Sequence, residues 1–92
     1  MKKAIIRIVN EVGLHARPAS ILVQQVNKFE SKVSISNYTL GSKSVDAKSI
    51  LGILTLGIEQ GHEVALEIEG KDEESAITKI KGLIESDFVG YL

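Results

Sequence analysis

The spacing of apolar residues changes period along the chain, and that change constrains the fold more than any other feature. "AIIRIV" at residues 4–9 alternates as a strand does, with Ile6 and Ile8 on one side and Ile5, Arg7 and Val9 on the other. From Ala16 to about Phe29 the rhythm becomes helical. Ala19, Leu22, Val23, Val26 and Phe29 form one stripe, with Gln24, Gln25, Asn27 and Lys28 opposite. Alternation returns in "KVSIS" (32–36), with Val33 and Ile35 inward. It returns again in Val64, Leu66 and Ile68, with Glu63, Glu67 and Glu69 outward. Between these strands "NYTLGSKS" (37–44) holds Gly41 and several turn formers, predicting a hairpin that comes back through Val45 and Ala47. "KSILGILTLG" (48–57) predicts a helix capped by Ser49 and ended by Gly57. Asp72 is expected to cap a last helix whose acidic first turn, Glu73 and Glu74, suits the helix dipole. Its stripe is Ile77, Ile80, Leu83, Ile84 and Phe88, with Gly82 as a weak point inside it.

The resulting order is βαββαβα. Short alternating strands imply a sheet with one buried face, and three amphipathic helices are available to cover it. The expected class is α+β: an open-faced β-sandwich, with a four-stranded antiparallel sheet covered on one face by three helices. A chain of 92 residues accommodates one domain, 1–92. Aromatic residues make up 4%, so the core is expected to be aliphatic. A net charge of −1 with so few aromatics argues against a nucleic-acid partner. The lack of cysteine favours a cytoplasmic location. Arg7 interrupts the N-terminal apolar run too early for a signal-peptide core, and no segment approaches the ~20 apolar residues of a membrane span.

Chemistry concentrates in "GLHARPAS" (13–20). Pro18, the only proline, is tolerated in a helix only within the first turn and biases Arg17 away from helical angles, so the helix must begin between His15 and Pro18. His15 then sits at the helix tip. First-turn N–H groups lack partners within the helix and, with the macrodipole, favour an anion. The amides of Ala16, Arg17 and Ala19 are the candidate donors, and the Arg17 guanidinium suits bidentate contact with phosphate. Ala16, Ala19 and Ser20 keep the surroundings open. A cationic imidazole is disfavoured at such a position, whereas a phosphoryl group on the ring adds negative charge where it is welcome. The plain alternative is a histidine that merely caps its helix.

Other chemistries find little support. His15 and His62 lie far apart with no cysteine beside them, so no metal site is expected. No nucleophile elbow or phosphate-binding glycine loop is present, and no cofactor is expected. "SILGILTL" (49–56) is apolar nearly all round, which suggests that Ile50, Leu51 and Leu54 form an exposed docking patch.

"GLHARPAS" followed by "KSILGILTLG" resembles the HPr family, the histidine-containing phosphocarriers of the bacterial phosphoenolpyruvate:sugar phosphotransferase system, over essentially the whole chain. The resemblance implies that His15 takes a phosphoryl group on Nδ1 from phosphorylated enzyme I and passes it to IIA components of sugar transporters. It implies that Arg17 stabilises the phosphate, and that the chain is a carrier and not a turnover enzyme. Ser49 matches a serine phosphorylated by a dedicated kinase (or kinase/phosphorylase) in many Gram-positive relatives, where the modification recruits a regulator of carbon catabolism. Ile50, Leu51 and Leu54, with Ser20, would form the partner surface. Val12 stands where relatives often carry a small polar residue. In this respect the chain resembles the nitrogen-related branch, so the alternative is a regulatory HPr-like module, of that branch or of the catabolite-control kind, acting mainly through protein binding. The hairpin between Ile35 and Val45 looks about three residues longer than usual, in a turn where insertions cost little.

Overall fold

The computed structural model describes residues 1–91, except the side chain of Ala16, whose expected contribution to an open site lies outside the described residues. The elements are β1 (Lys2–Arg7), α1 (Ala16–Val26), β2 (Lys32–Asn37), β3 (Val45–Asp46), α2 (Ile50–Leu54), β4 (Glu63–Glu69) and α3 (Glu73–Glu85). The four strands form one antiparallel sheet in the order β1-β4-β2-β3. This is the open-faced sandwich expected from the pattern.

Alternation decides which face is buried. Ile6, Val33, Ile35, Val64, Leu66 and Ile68 point inward from β1, β2 and β4. They meet Ala19, Leu22 and Val26 of α1, Ile53 of α2, and Ala76, Ile80, Leu83 and Ile84 of α3. Burying each large aliphatic side chain contributes about 1.5–3 kcal/mol relative to leaving it exposed. The opposite face carries Lys3, Glu67 and Ser34 in one cross-strand row, with Lys3 Nζ 3.6 Å from Glu67 Oε2.

Several expectations shift in detail. The first strand spans Lys2–Arg7 and not 4–9, although Ile8 still donates to the His62 carbonyl at 2.8 Å and is fully buried. Helix α1 ends at Val26, three residues before Phe29, where the Asn27 side chain bonds the Val23 carbonyl at 2.8 Å. Helix α2 has only five residues. Gln25, placed by spacing on the polar side, is buried, and its Oε1 has no hydrogen-bond partner.

Asp72 is the N-cap residue of α3, but its side chain makes no capping bond there. It reaches across to the α1–β2 connection, accepting from the Glu30 N–H at 2.9 Å, the Ser31 N–H at 3.0 Å and the Ser31 hydroxyl. The Ser31 hydroxyl and the Glu30 N–H hold the Asp72 carboxyl below its ordinary value. The loop before α3 is secured instead by Glu73, whose Oε1 accepts from the Gly70 N–H at 3.1 Å.

A candidate phosphoryl-acceptor site at the tip of α1

The ends of β1 and β2 and the start of β4 meet at one edge of the sheet, and the loop carrying His15 is stitched there. Beyond β1 the Ile8 carbonyl accepts from the Gly61 N–H at 2.8 Å, and the Val9 carbonyl accepts from Gln60 Nε2 at 3.1 Å. Asn10 is buried. Its Nδ2 donates to the Gly13 carbonyl at 2.6 Å, while the Gly13 N–H returns a bond to the Asn10 carbonyl at 3.1 Å. Gly13 has φ +65°, a region that costs a side-chain-bearing residue free energy. The Leu14 N–H then donates to the Ile58 carbonyl at 3.0 Å, and the Leu14 side chain is fully buried. His15 is thus set between an anchored leucine and the first turn of a helix.

His15 occupies the N-cap with extended backbone, φ −115° and ψ 163°, and its ring makes no capping bond. The ring is exposed. Among the described residues neither the His15 ring nor the Arg17 guanidinium takes part in a hydrogen bond or ion pair. Helix α1 opens at Ala16, so Arg17 is helical despite the bias from the following proline. Burial of Pro18 and the anchoring of Leu14 outweigh that local preference. Ala16 and Arg17 hold the first two helical positions, where N–H groups have no intrahelical partner. The Ala19 N–H already points at the His15 carbonyl, over a long 3.5 Å.

Helix α2 divides its apolar residues between two environments. Ile53 is fully buried, with Leu56 behind it, whereas Leu51 is 74% exposed and Ile50 and Leu54 are partly exposed. Ser49 caps the helix, its Oγ accepting from the Gly52 N–H at 3.2 Å. Lys48 Nζ donates to the Phe29 carbonyl at 2.8 Å, fastening the start of α2 beside the end of α1. The segment after α2 runs back to the loop before His15 through Ile58. The two helices are therefore antiparallel. Leu54 thus lies toward the His15 end, and Ser49, next to Lys48, lies toward the far end of α1. Ser20, half-buried on α1, lies between these regions in sequence.

Sequence reasoning missed the support of this site. Asn10, Gly13 and Ile58 fix the loop, and Asn37 and His62 form a polar clasp behind it. The fully buried Asn37 donates through Nδ2 to the Leu56 carbonyl at 3.2 Å and lies 3.1 Å from His62 Nδ1. Its Oδ1 accepts from the Leu40 N–H at 3.1 Å. "NEVG" read only as a strand break, although an asparagine three residues before the next backbone partner is a turn signal of its own kind.

The family model for the PTS HPr component phosphorylation site matches residues 2–86. The phosphocarrier protein HPr of Treponema pallidum is 37% identical over 83 residues, covering 90% of this chain and 91% of that one. The multiphosphoryl transfer protein of Haemophilus influenzae is 47% identical over 73 residues, 79% of this chain but only 15% of that longer one. The crystal structure of HPr-C-His from Thermoanaerobacter tengcongensis superposes with a TM-score of 0.91 at 48% identity and covers both chains fully. The chain belongs to the HPr family of phosphotransferase-system phosphocarriers.

Proposed function

We propose that this chain accepts a phosphoryl group on His15 from phosphorylated enzyme I and passes it to IIA components in sugar uptake. The observation that carries the reading is an exposed, unbonded imidazole at the N-cap of α1, held by an anchored loop. A neutral ring nitrogen, Nδ1 by resemblance to the family, attacks phosphorus. The new N–P bond forms as the bond from phosphorus to the donor breaks. The added negative charge lies against the Ala16 and Arg17 amides and the dipole of α1. Arg17, without a competing partner among the described residues, is free to turn its guanidinium onto the phosphate. The Ala19 amide contributes only by loosening its bond to the His15 carbonyl.

Ile50, Leu51 and Leu54, with Ser20, supply the surface that partners cover. Such a surface suits encounters that form and dissolve quickly. Phosphorylation of Ser49 by a serine kinase/phosphorylase would put charge into this apolar patch, which disfavours relay partners and favours a carbon-catabolite regulator. With these partners the chain works in the cytoplasm. Among the described residues no helix is long and apolar enough to cross a membrane.

The test is incubation with enzyme I and phosphoenolpyruvate. The expected product is an acid-labile, base-stable phosphate on wild type that is absent from His15→Ala. An unlabelled wild type, or labelling that survives in His15→Ala, refutes the reading.

A further inference from the structure

We infer that His62 is a positioning residue for His15, and that its protonation loosens the loop on which His15 stands. The inference rests on the phosphocarrier reading for its consequence, but its geometry stands alone. His62 Nδ1 lies 3.1 Å from the Glu59 backbone N–H and 3.1 Å from Asn37 Nδ2. The backbone group can only donate. The Asn37 amide is fixed in orientation, because its Oδ1 already accepts from the Leu40 N–H and its Nδ2 donates to the Leu56 carbonyl. Two donors therefore converge on one ring nitrogen, which must be the unprotonated one, with the proton on Nε2.

This single acceptor joins three segments. Asn37 ends β2 and opens the hairpin, Glu59 and His62 bound the turn before β4, and Leu56 follows α2. The same turn carries the bonds that hold the 8–14 loop: Leu14 to Ile58, Gly61 to Ile8, Gln60 to Val9 and Ile8 to His62. A second proton on the ring would turn Nδ1 into a donor facing two donors. Both bonds would be lost: the fully buried Asn37 amide would keep its bond to the Leu56 carbonyl but leave its other N–H unpaired, which costs more than that bond contributes, while the exposed Glu59 N–H would turn to water. The turn would then shift to find water, carrying its bonds to the loop with it.

The ionisable groups on the surrounding segments are Glu59 and Glu63 on the segment that carries His62, Arg7 and Glu11 on the β1–α1 side, and Tyr38 on the hairpin. Among the described residues none of their side chains bonds the ring, so the two donors set its protonation geometry.

The experiment uses full-length wild type, His62→Asn and His62→Leu. Asparagine restores an acceptor near the Nδ1 position and does not titrate; leucine removes the acceptor. Phosphorylation rates with enzyme I and phosphoenolpyruvate are compared from about pH 5 to pH 8, where histidine ordinarily changes charge. His15 is common to all three, so the ratio of wild type to His62→Asn isolates His62. That ratio is expected to fall on acidification, and His62→Leu to run about fivefold or more below His62→Asn at neutral pH. A flat ratio, or equal rates for the two variants, overturns the inference while leaving the carrier reading intact. In parallel, imidazole nitrogen spectra of unphosphorylated wild type are expected to show Nε2–H on His62, with the Glu59 and Leu14 amide signals moving as His62 titrates. A proton on Nδ1 at neutral pH, or Glu59 and Leu14 signals indifferent to that titration, overturns the inference even if no phosphoryl transfer is ever observed.

Discussion

Gly13 lies against the carbonyl of Ile58 so closely that a Cβ added to it would overlap the oxygen. The φ of +65° adds a second penalty for any other residue. Gly13→Ala is expected to lose about 2–4 kcal/mol of stability. It should also slow His15 labelling under conditions where the variant is fully folded, because the displaced backbone is the one that leads into His15. Urea titration and the labelling assay measure the two effects separately; a variant of unchanged stability contradicts the packing described.

His15→Ala is expected to change stability by less than about 0.5 kcal/mol, since the exposed ring makes no capping bond and caps contribute only when that bond exists. The same variant should take up no acid-labile phosphate. A stability loss near 1 kcal/mol would mean that the ring caps the helix after all.

Leu51 and Ile53 put an exposed and a fully buried apolar side chain two residues apart within one short helix. Leu51→Asp should leave the free energy of unfolding in urea titration almost unchanged, within about 0.5 kcal/mol, but weaken transfer to and from partner proteins. Ile53→Ala should cost about 2–5 kcal/mol through the cavity it opens. Partner kinetics indifferent to Leu51→Asp would remove α2 from the interface.

Acid stability should depend on Asp72. Its folded-state value is depressed, chiefly by the Ser31 hydroxyl, so it contributes stability above its ordinary value of 3.8, and that contribution disappears as pH falls through the lower folded value. Thermal midpoints of wild type should therefore drop between neutral pH and pH values below 3.8, and the drop should be smaller in Asp72→Asn and in Ser31→Ala. Equal drops in all three would assign the acid sensitivity elsewhere.

Gly82 lies inside α3, is exposed, and has nothing within 4 Å of where a Cβ would stand. Gly82→Ala should raise stability by about 0.5–1 kcal/mol, by restoring helix propensity and restricting the unfolded chain. Calorimetry or urea titration reads this directly.

The layers of the fold were legible because its strands alternate cleanly and its helices carry one apolar stripe each. Ile6, Val33, Leu66 and Ile80 fall inward as their spacing predicts. The start of α1 was legible because proline restricts where a helix can open. The failures have a common cause. Asp72 stands at the N-cap of α3 as expected, but its side chain makes no capping bond there because Ser31, far along the chain, takes its carboxylate. Gln25 is buried because the packing of the helix pulls it under, whatever its side chain prefers. The anchoring of the His15 loop to Ile58 and the clasp between Asn37 and His62 join residues that periodicity treats as unrelated turn formers.

The strand order has a consequence for how the protein comes into being. Edge strand β1 pairs only with β4, so Lys2 must wait for Ile68 before it finds its place in the sheet. The bonds that hold the His15 loop also come from residues 58–62. During synthesis the N-terminal segment, histidine included, is made early and remains without its neighbours until most of the chain has left the ribosome. A truncated product ending before residue 58 would retain the whole "GLHARPAS" motif but lack both the strand partner of β1 and the bonds that hold the His15 loop, a dependence set by topology alone.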